Sequence, residues 1–257
     1  MICALVIGKK ESTGFPRKNV TDVLGRPMVA YPILAAKGSP WVDLVYVSTD
    51  CPEIRTVAHD AACRVIARPA ELCTKEALGE DVFVHGYHYI VDDLAPTRAL
   101  DFLILLHANA PTLTPAMIEE GIQILHERPD IDSAVSVSRY NMWAPVRARR
   151  IQEDGLLHPY LPLDVMPDLS TATCDRDSAG DVWFADVALS VVRPRCLEHI
   201  EDGIPPQRWM GQKIYPIKNE GGLDVDYPWQ LPMVERWLEN HGYGAKVDLD
   251  AIYKRAF

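Results

Sequence analysis

Two acidic residues in the last part of the chain have the spacing of a metal site. Asp224 and Asp226 are separated by one residue in the stretch LDVDYPWQL. In an extended chain, side chains two residues apart point to the same face, so the two carboxylates would lie close together. Mg²⁺ prefers oxygen ligands and usually binds one or two carboxylates together with substrate phosphates and water. The spacing by itself fits two solvated acids at the end of a strand at least as well.

A loop near the amino terminus carries groups that bind phosphate. Residues 8–19 (GKKESTGFPRKN) follow the apolar run Ile2–Ile7, which is typical of a strand buried on both faces of a parallel sheet. The loop would therefore lie at the carboxyl end of that strand, where ligands bind in open α/β sheets. A solvated basic loop is the alternative, but the location favours a triphosphate bound by backbone N–H groups and cationic side chains. The candidate nucleotide-binding residues in this loop are Gly8, Lys9, Ser12, Thr13, Gly14, Lys18 and Asn19.

Other motifs that bind nucleotides or metals are missing or incomplete. The loop contains neither G-x-x-x-x-G-K-[ST] nor G-x-G-x-x-G, which argues against a Walker A loop and a dinucleotide fingerprint. His85 and His88 are three residues apart on a predicted helix, but no third metal ligand is near them in sequence, which favours a structural role. No convincing Ser-His-Asp set is present for nucleophilic catalysis.

Apolar runs and amphipathic stretches alternate along the first 140 residues. The predicted strands cover residues 2–7, 44–48, 64–67, 102–106 and 134–138, and later 187–192 and 223–225. The predicted helices cover residues 27–36, a stretch after the N-cap Asp50 with Glu53 as its capping-box partner, 80–93, a stretch from Thr114 and Pro115 to about 126, and 230–240. Strands that alternate with helices imply βαβ units. We therefore predict a Rossmann-like α/β fold, with a mostly parallel sheet and helices on both faces.

The pattern is interrupted between residues 140 and 185. This stretch is rich in Pro, Asp and Arg and has little periodicity. We expect an inserted lobe here, either a lid or a dimerisation arm, within a single domain that spans residues 1–257.

Composition limits the classes of partner. The chain has 257 residues, of which 48% are hydrophobic, and a formal net charge of −10, which argues against nucleic acid and anionic membranes as partners. No apolar run approaches the roughly 20 residues of a membrane span, and the apolar amino terminus is too short for a signal peptide. The six cysteines are scattered without a C-x-x-C pair. We expect a cytoplasmic protein.

A longer stretch around the first loop resembles a known family. The segment ALVIGKKESTGFPRKNVTDVLGRPMVAYPILAA is similar to the opening of the CMP-sialic acid synthetase family, which includes activators of related nonulosonic acids and is kin to the CMP-Kdo synthetases. The segments VYVSTDCPEI, ARPAELCTKEALGEDV, LLHANAPTLTPAMIEEGI and LDVDYPWQL continue the resemblance. It covers most of the chain, and residues from about 148 to 185 match only loosely.

The resemblance implies a nucleotidyltransferase that uses Mg²⁺. A hydroxyl group of a small acidic substrate would attack the α-phosphorus of CTP, and pyrophosphate would leave. The family pattern assigns catalysis to Lys9 and Lys18, which would bind the triphosphate, and to Asp224 and Asp226, which would bind the metal. Arg68 would line the nucleobase pocket, although a surface arginine is an equal alternative. The family also implies a homodimer, with the lobe at residues 140–185 reaching toward the partner.

Departures from the family pattern fall mainly where the acid substrate would bind. The usual Gln-Pro-Thr-Ser-Pro is here HANAP, from His107 to Pro111, and the usual Asn-Gly is Asp186-Val187. These changes alter the hydrogen-bonding groups of the pocket. The substrate-binding candidates are His107, Asn109, Arg147 and Arg176, with a general basic surface as the alternative for the two arginines.

The identity of both substrates stays open at this point. The acid substrate could be a sialic, pseudaminic, legionaminic or Kdo-type acid, or a non-sugar acid such as a phosphonate, and the nucleotide could be GTP or UTP. A degenerate protein that binds nucleotide without turnover is a further alternative. Retention of Lys9, Lys18, Asp224 and Asp226 argues against it.

Overall fold

A seven-stranded sheet forms the centre of the part of the chain that the structure describes. That part, in a computed structural model, comprises residues 1–11, 14–95, 98–162, 164 and 173–244. The strands in chain order are β1 (Ile2–Ile7), β2 (Asp22–Val23), β3 (Arg26–Pro27), β4 (Leu44–Thr49), β5 (Arg64–Ala67), β6 (Phe102–His107), β7 (Ser133–Arg139), β8 (Arg149–Ile151), β9 (Leu157–Pro159), β10 (Trp183–Val192) and β11 (Ile214–Lys218).

The order of strands in the main sheet is β11-β7-β10-β6-β1-β4-β5. All neighbouring strands are parallel except β10, which runs antiparallel to both β6 and β7. The strand pairs β2–β3 and β8–β9 form two separate antiparallel hairpins. The expected mostly parallel α/β sheet is confirmed.

Helices cover both faces of this sheet. The α-helices are α1 (Ala30–Gly38), α2 (Pro52–Asp60), α3 (Gly79–Leu94), α4 (Pro115–Glu127), α5 (Arg195–Glu198) and α6 (Leu231–Asn240). Short 3₁₀ helices cover Lys18–Val20, Ala70–Cys73, Asn141–Trp143, Pro145–Arg147, Ile200–Asp202, Arg208–Met210 and Pro228–Gln230. No helix among these described elements is long and apolar enough to cross a bilayer.

The alternation of β1 shows how the core is divided. Ala4 and Val6 face a cluster that includes residues of α1, α2 and α4, whereas Cys3 and Leu5 face a second cluster that includes residues of α3 and α5. All six residues of β1 are buried, which explains its unbroken apolar sequence. A third cluster packs α6 against the β2–β3 hairpin and the segment around Val225.

Several predicted boundaries are wrong for identifiable reasons. The helix predicted from residue 27 begins at Ala30, because Arg26 and Pro27 pair with β2 in a hairpin whose turn, at Leu24 and Gly25, has positive φ. Residues 223–225 have no regular secondary structure. The N-cap of α2 is Cys51 without a side-chain cap, since the Asp50 carboxylate instead accepts a hydrogen bond from the backbone N–H of Lys10.

The segment between residues 140 and 185 contains little regular structure where it is described. Its two 3₁₀ turns are followed by the β8–β9 hairpin, and Trp183 to Ala185 already pair with β7 in the main sheet. Large apolar side chains are exposed on this segment, including Trp143, Ile151 and Leu157.

Candidate active site

A cleft of about 770 Å³ opens at the carboxyl ends of strands β1, β5 and β6. This is the edge at which doubly wound sheets bind ligands. The cleft brings together residues from the first loop, the segment between β5 and α3, the end of β6 and the segment before α6. The predicted residues that line it are Gly8, Lys9, Gly14, Lys18, Asn19, Arg68, His107, Asn109 and Asp226.

An ion pair joins the first loop to the late acidic segment. The Lys18 ammonium lies 2.5 Å from Oδ1 of Asp226. The Lys18 side chain is only 15% exposed, whereas that of Asp226 is 54% exposed. A cation held this way can exchange its carboxylate for a phosphate oxygen when an anionic ligand enters, because both partners line the cleft.

Hydrogen bonds from Asn109 hold the segment that carries Asp224. This segment is not a strand, so the alternation of side chains along a strand does not set the position of Asp224. The Asn109 amide Nδ2 donates to Oδ2 of Asp224 at 3.4 Å and to the Val225 carbonyl at 3.1 Å. The Val225 N–H donates in return to the Asn109 carbonyl at 2.8 Å. Asp224 is not among the residues that line the cleft, but it contacts one that does.

The two carboxylates provide a donor set suited to Mg²⁺. Burial raises the pKa of Asp224, and the negative charge of Asp226 raises it further, so a cation near both would relieve desolvation and repulsion. No group of three or more His, Cys, Asp or Glu side chains in the described part of the chain could hold a metal. Two carboxylates completed by phosphate oxygens and water are an ordinary Mg²⁺ arrangement, so these residues fit the ion.

Gly8 and Asn19 fix the course of the first loop. A Cβ on Gly8 would lie 2.7 Å from Cβ of Ala108 and 3.0 Å from Cδ1 of Ile54, so only glycine fits there. The Asn19 amide donates to the Lys9 carbonyl at 2.9 Å. Its buried Oδ1 accepts no hydrogen bond from any described residue. The Asn19 side chain is therefore held in place through its Nδ2 donor, while its Oδ1 acceptor has no described hydrogen-bond donor.

Arg68 is anchored on β4 beside the cleft. Its Nη2 donates to the Ser48 carbonyl at 2.6 Å, and its Nε donates to the Ser48 hydroxyl at 3.4 Å. Burial lowers the pKa of Arg68, with Cys73 and Asp50 opposing that shift. This guanidinium is consequently a fixed, partly desolvated donor rather than a mobile surface group.

The sequence prediction missed the wall opposite the first loop. Residues 72–79, just before α3, contribute seven side chains or backbone segments to the cleft: Leu72, Cys73, Thr74, Lys75, Ala77, Leu78 and Gly79. The Lys9 ammonium donates to the Thr74 carbonyl at 3.1 Å and so links the two walls. The approach to a helix amino terminus was the available signal, because exposed N–H groups there attract anions. Tyr227, directly after Asp226, was also missed.

His107 forms part of the floor at the end of β6. Its Nδ1 lies 3.2 Å from the Val187 carbonyl, and Phe83 packs against the ring in an edge-to-face contact at 5.1 Å. Burial lowers the pKa of His107 to about 4, and the positive charge of Lys18 contributes to the same shift. The imidazole is therefore neutral at physiological pH.

A buried polar network supports the late acidic segment from behind. Asp186 accepts hydrogen bonds from the hydroxyls of Ser136 and Ser138 and from the Asn219 amide. Burial raises the pKa of Asp186 in spite of these bonds. A Cβ on Gly222 would lie 2.2 Å from an Asp186 carboxylate oxygen, so the chain passes directly over this network.

Four other predicted positions lie elsewhere or are not described. Arg147 donates to the Cys174 carbonyl at 3.0 Å, and Arg176 contacts Asp177 at 3.3 Å; neither arginine lines the cleft. Ser12 and Thr13 lie outside the described residues.

The fold and the cleft define an α/β protein with a ligand-sized cleft at the carboxyl ends of its strands, and the comparisons with known proteins specify the family. The cytidylyltransferase family model matches residues 4–141, more than half of the chain. The chain belongs to the cytidylyltransferase family.

The curated relatives carry consistent names. The chain is 26% identical over 253 residues to N-acylneuraminate cytidylyltransferase A of Danio rerio, covering 95% of this chain and 52% of that protein. It is 26% identical over 185 residues to N-acylneuraminate cytidylyltransferase of Escherichia coli O18:K1:H7, covering 72% of this chain and 42% of that protein. The chain thus spans about half the length of the curated relatives it matches.

Solved structures with the same fold include a CMP:2-keto-3-deoxy-manno-octonic acid synthetase complexed with CTP. That comparison has a TM-score of 0.65 at 17% identity and covers 93% of this chain and 99% of the other. The 4-diphosphocytidyl-2C-methyl-D-erythritol synthase from Anaerococcus prevotii has a TM-score of 0.60 at 10% identity, covering 93% and 96% of the two chains. At these identities the likeness establishes the fold.

Proposed function

We propose that the chain is a Mg²⁺-dependent cytidylyltransferase that transfers CMP from CTP to a small acid sugar and releases pyrophosphate. The ion pair between Lys18 and Asp226 is the observation that carries this proposal. It supports the proposal because a cation suited to phosphate and a carboxylate suited to Mg²⁺ lie at one point of the cleft, where nucleotidyl transfer would use both.

The cations of the cleft would bind and orient the triphosphate. Lys9 and Lys18 come from the first loop and Lys75 comes from the opposite wall, so they approach the cleft from two sides. Arg68, held by Ser48, would provide a fixed donor to the nucleobase or ribose. Positioning and charge stabilisation by these groups would supply most of the rate enhancement.

The acidic pair would complete the site. Entry of the triphosphate would draw Lys18 toward phosphate and release the Asp226 carboxylate. Asp224 and Asp226 would then hold Mg²⁺, which when bound neutralises charge on the phosphate oxygens. In the reaction a hydroxyl oxygen of the acid sugar forms a bond to the α-phosphorus, the bond from that phosphorus to the pyrophosphate oxygen breaks, and the hydroxyl proton passes to solvent.

The acid sugar would lie at the end of β6, beside His107 and Asn109. Both residues line the cleft next to Asp226. Arg147 and Arg176 could reach the substrate carboxylate only if the segment around residues 140–185 moved over the cleft or were supplied by a second subunit. We extend the proposal to a homodimer in the cytoplasm, supported by the exposed Trp143, Ile151 and Leu157 and by free cysteine thiols.

Pyrophosphate release tests the proposed function. The purified protein is incubated with Mg²⁺, each of CTP, UTP, GTP and ATP, and a panel of acids: N-acetylneuraminate, pseudaminate, legionaminate, Kdo and simple phosphonates. Release with CTP and one acid sugar is expected. Release with another nucleotide or only with a phosphonate would correct the substrate, and nucleotide binding without release from any pair would indicate a binding protein. Light scattering tests the dimer, and a monomer at micromolar concentration would contradict it.

A further inference from the structure

We propose that His107 is a specificity-determining residue whose Nε2 requires a hydrogen-bond donor, a hydroxyl or an ammonium group, on the acid substrate. This inference rests on the proposed function and specifies the class of substrate. It follows from the surroundings of one imidazole ring, which leave a single nitrogen facing the cleft.

The Val187 carbonyl determines which ring nitrogen carries the proton. A carbonyl oxygen can only accept, so Nδ1 of His107, at 3.2 Å from that oxygen, must be the donor. A neutral imidazole has one N–H, and Nε2 is consequently a bare acceptor. No described residue hydrogen-bonds to Nε2, and the ring is one of the groups that line the cleft.

Aromatic side chains hold the ring in this orientation. Phe83 contacts it edge-to-face at 5.1 Å, and Trp209 lies at 6.0 Å between ring centroids. The Trp209 indole N–H donates to the Ser190 hydroxyl at 3.3 Å and is therefore not available to His107. Among the described residues, the Val187 carbonyl is the hydrogen-bond partner that this ring orientation satisfies.

The Val187 carbonyl that faces His107 belongs to a residue in a strained backbone conformation. Val187 has φ of 52°, a left-handed conformation that is unfavourable for a β-branched residue. It lies in the irregular stretch of β10 between Ala185 and Ser190, directly after Asp186. The bonds from Ser136, Ser138 and Asn219 to Asp186 fix this stretch from the other side. A strained residue that the surrounding network holds in place is typical of a functional position.

The location of His107 assigns its Nε2 to the acid substrate. His107 is two residues before Asn109, which holds Asp224, and the charges of Lys18 and Asp226 both act on the ring. This is the side of the cleft where the reacting phosphate and the attacking hydroxyl would meet. A substrate oxygen without a proton opposite Nε2 would leave two lone pairs facing each other in a desolvated site, which is unfavourable.

The tautomer is tested first, without any catalytic assay. Long-range ¹H–¹⁵N NMR on histidine-labelled protein, with His107→Gln to assign the signals, should show a protonated Nδ1 and a bare Nε2. N-acetylneuraminate and Kdo are then added separately, and one of them should shift the Nε2 signal. A protonated Nε2 overturns the proposal. So does an Nε2 signal that moves with CTP alone, or one that neither sugar acid moves.

Fluorinated substrates test selectivity. For the acid sugar that supports pyrophosphate release, each hydroxyl is replaced in turn by fluorine, which cannot donate a hydrogen bond. One analogue should lose about tenfold to hundredfold in kcat/KM with the unaltered protein. It should lose much less with His107→Gln, whose amide can donate to fluorine, whereas His88→Gln, outside the cleft, should behave like the unaltered protein. Equal losses with and without His107 would overturn the proposal. Absence of turnover with every acid would refute the proposed function, and the NMR titration would still decide the role of His107.

Discussion

Lys18 and Asp226, 2.5 Å apart, connect the two ends of the chain across the cleft. Lys18 begins a 3₁₀ helix after the first strand, and Asp226 lies just before the last described helix. Their ion pair contributes little to stability, since the Asp226 side chain is more than half exposed. Its significance is chemical, because it places opposite charges where a metal–nucleotide complex would bind.

Removing the Asp226 charge should impair turnover far more than folding. With Asp226→Asn, kcat/KM for pyrophosphate release should fall about 100-fold or more, and a higher Mg²⁺ concentration should be required. The free energy of unfolding in urea should change by less than about 0.5 kcal/mol. Asp130→Asn is the control, since Asp130 forms a comparable exposed ion pair with Arg128 at 2.9 Å. Unchanged turnover in Asp226→Asn would refute the metal assignment.

Gly8→Ala should destabilise the protein by about 1–3 kcal/mol, because the new methyl group would overlap Ala108 and Ile54, both fully buried. Urea unfolding measures this cost. At Gly244 an added Cβ meets no atom of the described residues within 4 Å, so Gly244→Ala provides the matched control and should be close to neutral. A neutral Gly8→Ala would mean that the first loop can move away from β6.

Local sequence signals predicted much of the fold. The runs Ile2–Ile7 and Arg64–Ala67 have the bounds that were predicted, and Thr114 caps α4 by accepting a hydrogen bond from the Met117 N–H. In these cases the information lies within a few residues. The first loop was also identified correctly as part of the cleft wall, since it directly follows a buried strand.

Elements defined by distant partners could not be found this way. The segment 223–225 has no regular secondary structure and bonds to Asn109 and Thr112 rather than to a strand. Strand β11 was missed because it contains Pro216, which is tolerated there since β11 is an edge strand. The cleft wall at residues 72–79 likewise depends on how α3 packs on the sheet, so the approach to a helix amino terminus indicates anion binding but not the position of that wall.

The free energy of unfolding of Asp186→Asn should increase, relative to that of the unaltered chain, as pH rises. Burial raises the pKa of Asp186 above 3.8, so between the unfolded and folded pKa values the folded state binds more protons. Stability of the unaltered protein is therefore lost as pH increases through that interval, and the neutral amide removes the loss. Urea unfolding across the acid range measures the difference. Asp186→Ala, which leaves Ser136 and Ser138 without their partner, should instead cost at least about 2 kcal/mol.

His107→Gln should make the free energy of unfolding less dependent on pH in the acid range. The folded pKa of about 4 lies below the ordinary 6.5, so in this interval the unfolded state binds more protons, and stability falls as pH decreases from 6.5 toward 4. From about pH 7 to about pH 5 the unaltered protein should lose about 2 kcal/mol that His107→Gln retains, beyond any constant packing difference. His88→Gln is the control, because His88 is exposed on α3. Parallel profiles for the unaltered protein and His107→Gln would mean that folding does not lower the pKa of His107, and Nε2 would then take up a proton as pH falls through 6.5 rather than remain a bare acceptor down to about pH 4.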